Sequence, residues 1–323
     1  MMRFGTAEAG PGELAKGTIA LGEDAILPLL CPVLLARGAQ PGPRLYIQCL
    51  IHGGENVGPI AAARFLRSLD LSRMKGSIAC LLVANPLGQR VLGRLIPQDG
   101  TNLNRIFPGN PHGSVGEQLA DRLLALAGEQ GGDAVIDLHS GGELTITAFY
   151  VIHDAKGNGP AEQAARTLAA QVGSRYQWGA TEDWMNGTFL SHVTRRHGKP
   201  TLIIESGGGA QVRDEDLANF AIALNGAVRA LGMLPGAPPV AQDIRFGGNA
   251  VHVKCTRGGF WKPAVTPGQD MAGGDFMGEI IDMYGEVVET ILCPAASAWV
   301  GSIRRPWMPL HNGDQVVEVV ERR

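Results

Sequence analysis

No two cysteines in this sequence stand at Cys-x-x-Cys spacing, and the five present, Cys31, Cys49, Cys80, Cys255 and Cys293, are odd in number and scattered. That excludes a local redox or metal-binding cysteine motif. Cys49 and Cys80 lie inside apolar runs and read as small buried thiols, which fits a reducing compartment. Charge is also scarce: charged residues make up 18% of the chain, the net charge is -3, and no basic stripe occurs. Nucleic acid and anionic membrane surfaces therefore have no electrostatic claim as partners. The sequence has no apolar run of the roughly 18 residues that a membrane helix needs, and its first ten residues lack the apolar centre of a signal peptide. A cytoplasmic, unanchored protein is expected, with assembly into a homo-oligomer left open.

What is present is a set of short apolar runs, each ending in a polar residue. Leu45 to Ile51 leads to His52, Ser77 to Ala84 leads to Asn85-Pro86, Ala134 to Leu138 leads to His139, and Thr201 to Ile204 leads to Glu205. Runs of this length bounded by Gly or Pro fit strands covered on both faces by helices. In such sheets ligands bind at the carboxyl ends of the strands, so four runs are expected to deliver polar groups to one edge.

His52-Gly53-Gly54-Glu55 puts two metal-ligand types on one turn, and the distant His139 completes a three-ligand cage that leaves one coordination position for water. That donor set suits a single zinc ion per chain, although other divalent metals bind similar sites. Asp137, two positions before His139, is expected on the opposite sheet face, with a structural role and a hydrogen bond to a metal ligand equally open. Ser140-Gly141-Gly142 and Ser206-Gly207-Gly208-Gly209 fit no phosphate-loop pattern, and Ser206 has no identifiable base. Their glycines read as sharp turns beside the metal. His112, His153, His192, His197, His252 and His311 read as ordinary polar residues, and Asn186-Gly187-Thr188 as a turn.

Helical periodicity covers Ile60 to Ser68, Gly116 to Glu129, Ala161 to Val172 and Asp214 to Leu231, with Glu55 at or just before the first helix start. Strands alternating with these helices predict an α/β catalytic domain over 1–238. At Pro235-Gly236-Ala237-Pro238-Pro239 the periodicity stops. Evenly spaced turns such as Gly258-Gly259, Pro267-Gly268, Gly273-Gly274 and Gly313-Asp314 then predict a small all-β barrel or sandwich over 239–323. In its turns this tail resembles biotinyl and lipoyl carrier domains, but Cys293-Pro294-Ala295-Ala296-Ser297-Ala298 offers no carrier lysine.

Asn85-Pro86-Leu87-Gly88, Arg94, Asp99-Gly100-Thr101-Asn102-Leu103-Asn104-Arg105 and Phe107-Pro108-Gly109 add to these pieces. With His52-Gly-Gly-Glu55, Asp137-Leu-His139 and Ile204-Glu205 they resemble the succinylglutamate desuccinylase and aspartoacylase family, related to the zinc carboxypeptidases of the M14 type. The resemblance spans about residues 30 to 235. It implies a mixed, mostly parallel eight-stranded sheet with helices on both faces, and zinc held by His52, Glu55 and His139. It also implies Glu205 as the general base acting on the zinc-bound water, and Arg94 as oxyanion stabiliser with Arg90 as the fallback. Asn104 and Arg105 would grip the substrate's carboxylate. The Asp99-Gly100 loop is similar to that of bacterial deacetylases of N-acetylated diamino acids.

The function expected is zinc-dependent hydrolysis of an amide bond in a small N-acyl amino acid or N-acyl diamino compound. A metallocarboxypeptidase would use the same groups on peptides. A binding or sensory protein with a silent metal pocket is the third reading, and it leaves Glu205 without a task.

Overall fold

In the computed structural model, which describes residues 1–24 and 26–323, the chain opens with a short hairpin, β1 (Met2–Phe4) and β2 (Ala7–Ala9). It continues through β3 (Glu13–Glu23), β4 (Pro28–Arg37), β5 (Gln40–Cys49), α1 (Val57–Ser68), β6 (Lys75–Leu81), α2 (Pro86–Arg90), α3 (Val115–Gln130) and β7 (Ala134–His139). Next come β8 (Thr145–Asp154), α4 (Pro160–Ala169), β9 (Tyr176–Ala180), α5 (Phe189–His197), β10 (Thr201–Gly208) and α6 (Asp214–Ala230). Eight further strands follow: β11 (Arg245–Lys254), β12 (Gly259–Pro263), β13 (Asp270–Ala272), β14 (Phe276–Ile281), β15 (Val287–Leu292), β16 (Ser297–Arg304), β17 (Pro309–Leu310) and β18 (Gln315–Arg322).

The four apolar runs are neighbours. β10, β7, β5 and β6 lie side by side and all run parallel. Their carboxyl ends therefore share one edge, where His52, Asn85, His139 and Glu205 emerge. Alternation explains the two-sided burial: Leu45, Ile47 and Cys49 of β5 pack under α1, α4 and α6, whereas Tyr46 faces α3 and α5. Ser114 caps α3 by accepting from the Glu117 amide, and the Glu117 carboxylate accepts the Ser114 amide in return.

The sheet runs past the eight strands that residues 1–238 contribute, β9-β8-β10-β7-β5-β6-β4-β3, because strands of the C-terminal β module extend it. It has twelve strands in the order β13-β16-β18-β11-β9-β8-β10-β7-β5-β6-β4-β3. Antiparallel pairs bound the parallel centre, at β3–β4 and β4–β6 on one side and at β8–β10, β11–β18 and β16–β18 on the other. The physical reason is edge covering. β9 would leave unpaired backbone groups, and β11 of the C-terminal β module pairs parallel with it instead. β16 also pairs with β8, so β8, β9, β11, β18 and β16 close into a ring around Tyr150, Trp178, Trp299 and Val320. A second sheet, β15-β14-β12-β17, packs on the module's outer side over Trp261, Met277, Ile280, Val300 and Val317.

A candidate metal centre and its cavity

β5 ends in a kink: Leu50 takes φ 57°, a left-handed value unusual for leucine. The turn is held by the segment after β6, where the Asn85 amide donates to the Leu50 carbonyl at 2.9 Å and the Asn85 side-chain amide donates to the Ile51 carbonyl at 3.2 Å. Gly53 lies directly against the backbone of Gly88 and Gln89, where any side chain would collide. The turn sets His52 and Glu55 at the sheet edge, and Asn56 precedes the first residue of α1.

His52, Glu55 and His139 meet there, with one ligand atom from each lying within 4.8 Å of the others. Their ring nitrogens are used in a regular way. His52 Nδ1 is 2.8 Å from Glu55 Oε1 and His139 Nδ1 is 3.0 Å from Glu55 Oε2. Outside the cage, His52 Nε2 is 3.0 Å from Asn102 Oδ1 and His139 Nε2 is 2.9 Å from Asp137 Oδ2. Two imidazoles thus turn Nδ1 inward while oxygen acceptors hold Nε2, the arrangement that fixes a metal-binding tautomer. Asp137 corrects an expectation: the strand's two-residue period puts it on the same face as His139.

The electrostatics of this cluster fit a cation. Burial works to raise the Glu55 carboxyl, but the imidazoles outweigh it and hold the group far below the usual carboxylate range. For His139, burial works downward, and the charges of Asp137 and Glu55 override it to lift the imidazole well above its ordinary value. Burial, aided by Arg94, takes His52 down to about 4. A buried site with this much negative charge facing inward suits a divalent ion in place of a proton.

Glu205 sits on β10 directly beside His139 in register. Its Oε2 is buried with no hydrogen-bond partner, and burial, reinforced by the charges of Glu55 and Glu318, pushes the carboxyl up to about 8. Arg94 stands over the cage with Nη1 3.5 Å from Glu55 Oε1 and its side chain 49% exposed. Arg90 is elsewhere, paired with Asp24 at 3.1 Å. Asn104 Oδ1 accepts the Phe189 amide at 2.9 Å, and the Arg105 guanidinium lies 4.8 Å from the centre of the Trp184 ring. Burial and the nearby Arg94 lower Arg105 to about 10. The loop bearing these residues is pinned by Asp99, whose Oδ2 accepts from Ser114 Oγ and the Gly116 amide, both at 2.7 Å.

All seven expected residues line one cavity of about 560 Å³. Several partners went unread in the sequence: Asn102, Tyr150, and the C-terminal His252, Ser302, Arg304 and Glu318. His252 is therefore not an ordinary surface residue. The available signal for Glu318 was a lone charge inside the apolar run Val316 to Val320. Ser206 is tied to α6 through Asp216 and Asn219, and its side chain has no histidine among its hydrogen-bond partners in the described residues. Thr188 caps α5, so the Asn186 segment is a helix entry and not a cavity wall. The glycine segments pack backbone to backbone, the Gly141 amide donating to the Gly207 carbonyl at 3.0 Å.

Known proteins share this sequence pattern and fold. The succinylglutamate desuccinylase/aspartoacylase catalytic domain matches residues 41–231. The chain belongs to this family. Within the wider group, it is 28% identical over 306 residues to N-alpha-acetyl-L-2,4-diaminobutyric acid deacetylase of Halomonas elongata, covering 91% of this chain and 86% of that protein. Its fold matches a product-bound structure of the ectoine utilization protein EutE (DoeB) from Ruegeria pomeroyi, with TM-score 0.83, 21% identity, and 96% and 95% of the two chains covered. It also matches a succinylglutamate desuccinylase/aspartoacylase from Rhodobacter sphaeroides, with TM-score 0.82, 22% identity and 96% of each chain covered. These two likenesses carry the fold. The family match carries the membership.

Proposed function

We propose that the protein deacylates a small N-acyl amino acid or N-acyl diamino compound, using zinc held by His52, Glu55 and His139. Membership of the family makes the chain an amide-bond hydrolase. The observation that carries the finer reading is Glu205: a half-buried glutamate lining the cavity beside the His–Glu–His cluster, with one buried carboxylate oxygen lacking any partner. Two imidazoles and a carboxylate suit zinc. Zinc bound there supplies Lewis acidity toward a carbonyl and lowers the pKa of a water to about 7.

The chain's own groups supply the rest. Glu205 takes a proton from the attacking water and hands it to the nitrogen as the acyl carbon–nitrogen bond breaks, so the amine leaves neutral. Arg94, which reaches Glu55 Oε1 at 3.5 Å and His52 Nδ1 at 3.3 Å while its side chain stays half-exposed, faces the negative charge developing on the acyl oxygen. Asn104 and the flat, stacked guanidinium of Arg105 orient a substrate carboxylate.

Cavity size favours small substrates over peptides. Residues of β11, β16 and β18 form one wall of it, which narrows the room for an extended peptide. Residues 1–238 act in this reading as the catalytic unit and 239–323 as its wall. The cysteines, all free and buried, support a reducing, cytoplasmic setting, and no helix among the described residues is long and apolar enough to cross a membrane.

The test is a pooled library of N-acetyl and N-succinyl amino acids, acylated diamines and short peptides given to zinc-loaded protein, with products identified by mass spectrometry. Free amine released from a small acylated compound is expected. Trimming of peptide carboxyl termini with the acylated compounds untouched would replace this reading with a carboxypeptidase, and no reaction with either would favour a binding protein.

A further inference from the structure

One rung of side chains crosses four strands at the cavity wall opposite the catalytic loops. His252 of β11 is in register with Glu318 of β18, Glu318 with Ser302 of β16, and Ser302 with Thr147 of β8. All four line the cavity. Glu318 is the one carboxylate among them, its side chain only 13% exposed. Its Oε2 lies 3.3 Å from Nδ1 of His252, which sits at the rim with its side chain 45% exposed. Its Oε1 has the Tyr150 hydroxyl at 3.5 Å, the outer limit of a hydrogen bond. A carboxylate offers about four acceptor positions, so Glu318 enters the cavity with acceptor capacity to spare.

Most other charges facing the cavity have work in the proposed reaction or a partner of their own, as Arg304 has in Asp314 at 3.6 Å. Glu55 is enclosed by the two imidazoles, Glu205 serves proton transfer, and Arg105 awaits a carboxylate. Glu143 stands on the turn before β8 at the mouth. Glu318 faces the space between these groups and is near enough to Arg94 to feel its charge. Burial raises its carboxyl, against the pull of His252, Arg94 and the Tyr150 hydroxyl. A cation in the cavity would relieve that strain, whereas an apolar substrate tail would leave a buried carboxylate facing carbon.

We propose that Glu318 accepts the free ammonium group of a second amine in the substrate, so that the cavity selects acylated diamino compounds over acylated monoamino ones. The selection rests on the deacylase reading and narrows it: the carboxylate goes to Arg105, the acyl group to the metal cage, and the remaining ammonium to β18. A site built to bond a charged group rejects the analogue lacking it by about 10- to 100-fold.

The experiment compares two probes that differ only in that ammonium, Nα-acetyl-2,4-diaminobutyrate and N-acetyl-2-aminobutyrate, on the zinc-loaded full chain. Wild type should favour the diamino probe at least about 10-fold in kcat/KM, Glu318→Gln should bring the ratio close to parity, and Glu318→Asp should restore part of it. No preference in wild type, or an unchanged ratio in Glu318→Gln, overturns the proposal. If Glu318→Gln does not fold, or if wild type hydrolyses neither probe and the deacylase reading fails, calorimetry of wild type with 2,4-diaminobutyrate and 2-aminobutyrate decides it alone. Tighter binding of the diamine supports Glu318 as the acceptor, and equal affinity overturns it.

Discussion

His139 Nε2 stands 2.9 Å from Asp137 Oδ2, two residues back on the same strand, while its Nδ1 faces Glu55. The carboxylate sets the ring's tautomer and orientation, and makes the imidazole a stronger base toward a metal. Replacing Asp137 with Asn keeps the shape and removes the charge. Zinc affinity should fall about 10- to 100-fold in a chelator competition. Equal affinity in the variant would remove Asp137 from the positioning of His139.

Glu205→Gln separates metal binding from proton transfer. The variant should take up zinc as wild type does, because Glu205 is not among the three grouped ligands, while turnover drops about 10²- to 10⁴-fold. Metal analysis beside single-turnover kinetics gives both readings. Near-normal turnover would take Glu205 out of the mechanism.

Zinc uptake should release protons. Burial lowers His139, but Asp137 and Glu55 outweigh it and raise it well above the ordinary imidazole value, so the metal-free protein keeps a proton there to higher pH than a free imidazole does. A ligand must be deprotonated to bind, so affinity should weaken as pH falls and zinc uptake should release protons. Calorimetry in two buffers of different ionisation heat measures this, and identical heats in both would contradict it.

Arg105→Lys keeps the charge and loses the planar fork stacked on Trp184. KM for an acylated amino acid should rise about 10-fold, with a smaller change for an acylated amine lacking the carboxylate. Equal losses on both substrates would mean that Arg105 does not read the carboxylate.

The parallel centre, and the edge that gathers His52, Asn85, His139 and Glu205, were legible in the sequence because each apolar run ends directly at one of these polar residues. Four main helices were legible for the same local reason. α5 was not: Phe189 to His197 is short and polar, and its ends are set by Thr188 at the start and by Gly198 in the left-handed conformation at the close. The twelve-stranded extent was hidden because it depends on β11, β16 and β18 finding β9 and β8 across long stretches of chain, and pairing of that kind leaves no periodic trace. Glu318 was hidden with it, since a charge in a valine run says only that a partner exists.

The closed ring of β8, β9, β11, β18 and β16 has a consequence for how such a protein changes over time. In the proposed reading the reacting groups are carried on β5, β7, β10 and their loops, while the facing rung is carried on strands hydrogen-bonded into the same fabric. Side chains at alternate positions of β18 can be exchanged without disturbing its backbone pairing. The range of compounds accepted is thus free to drift while the chemistry stays fixed, and the wall needs no hinge to meet its substrate.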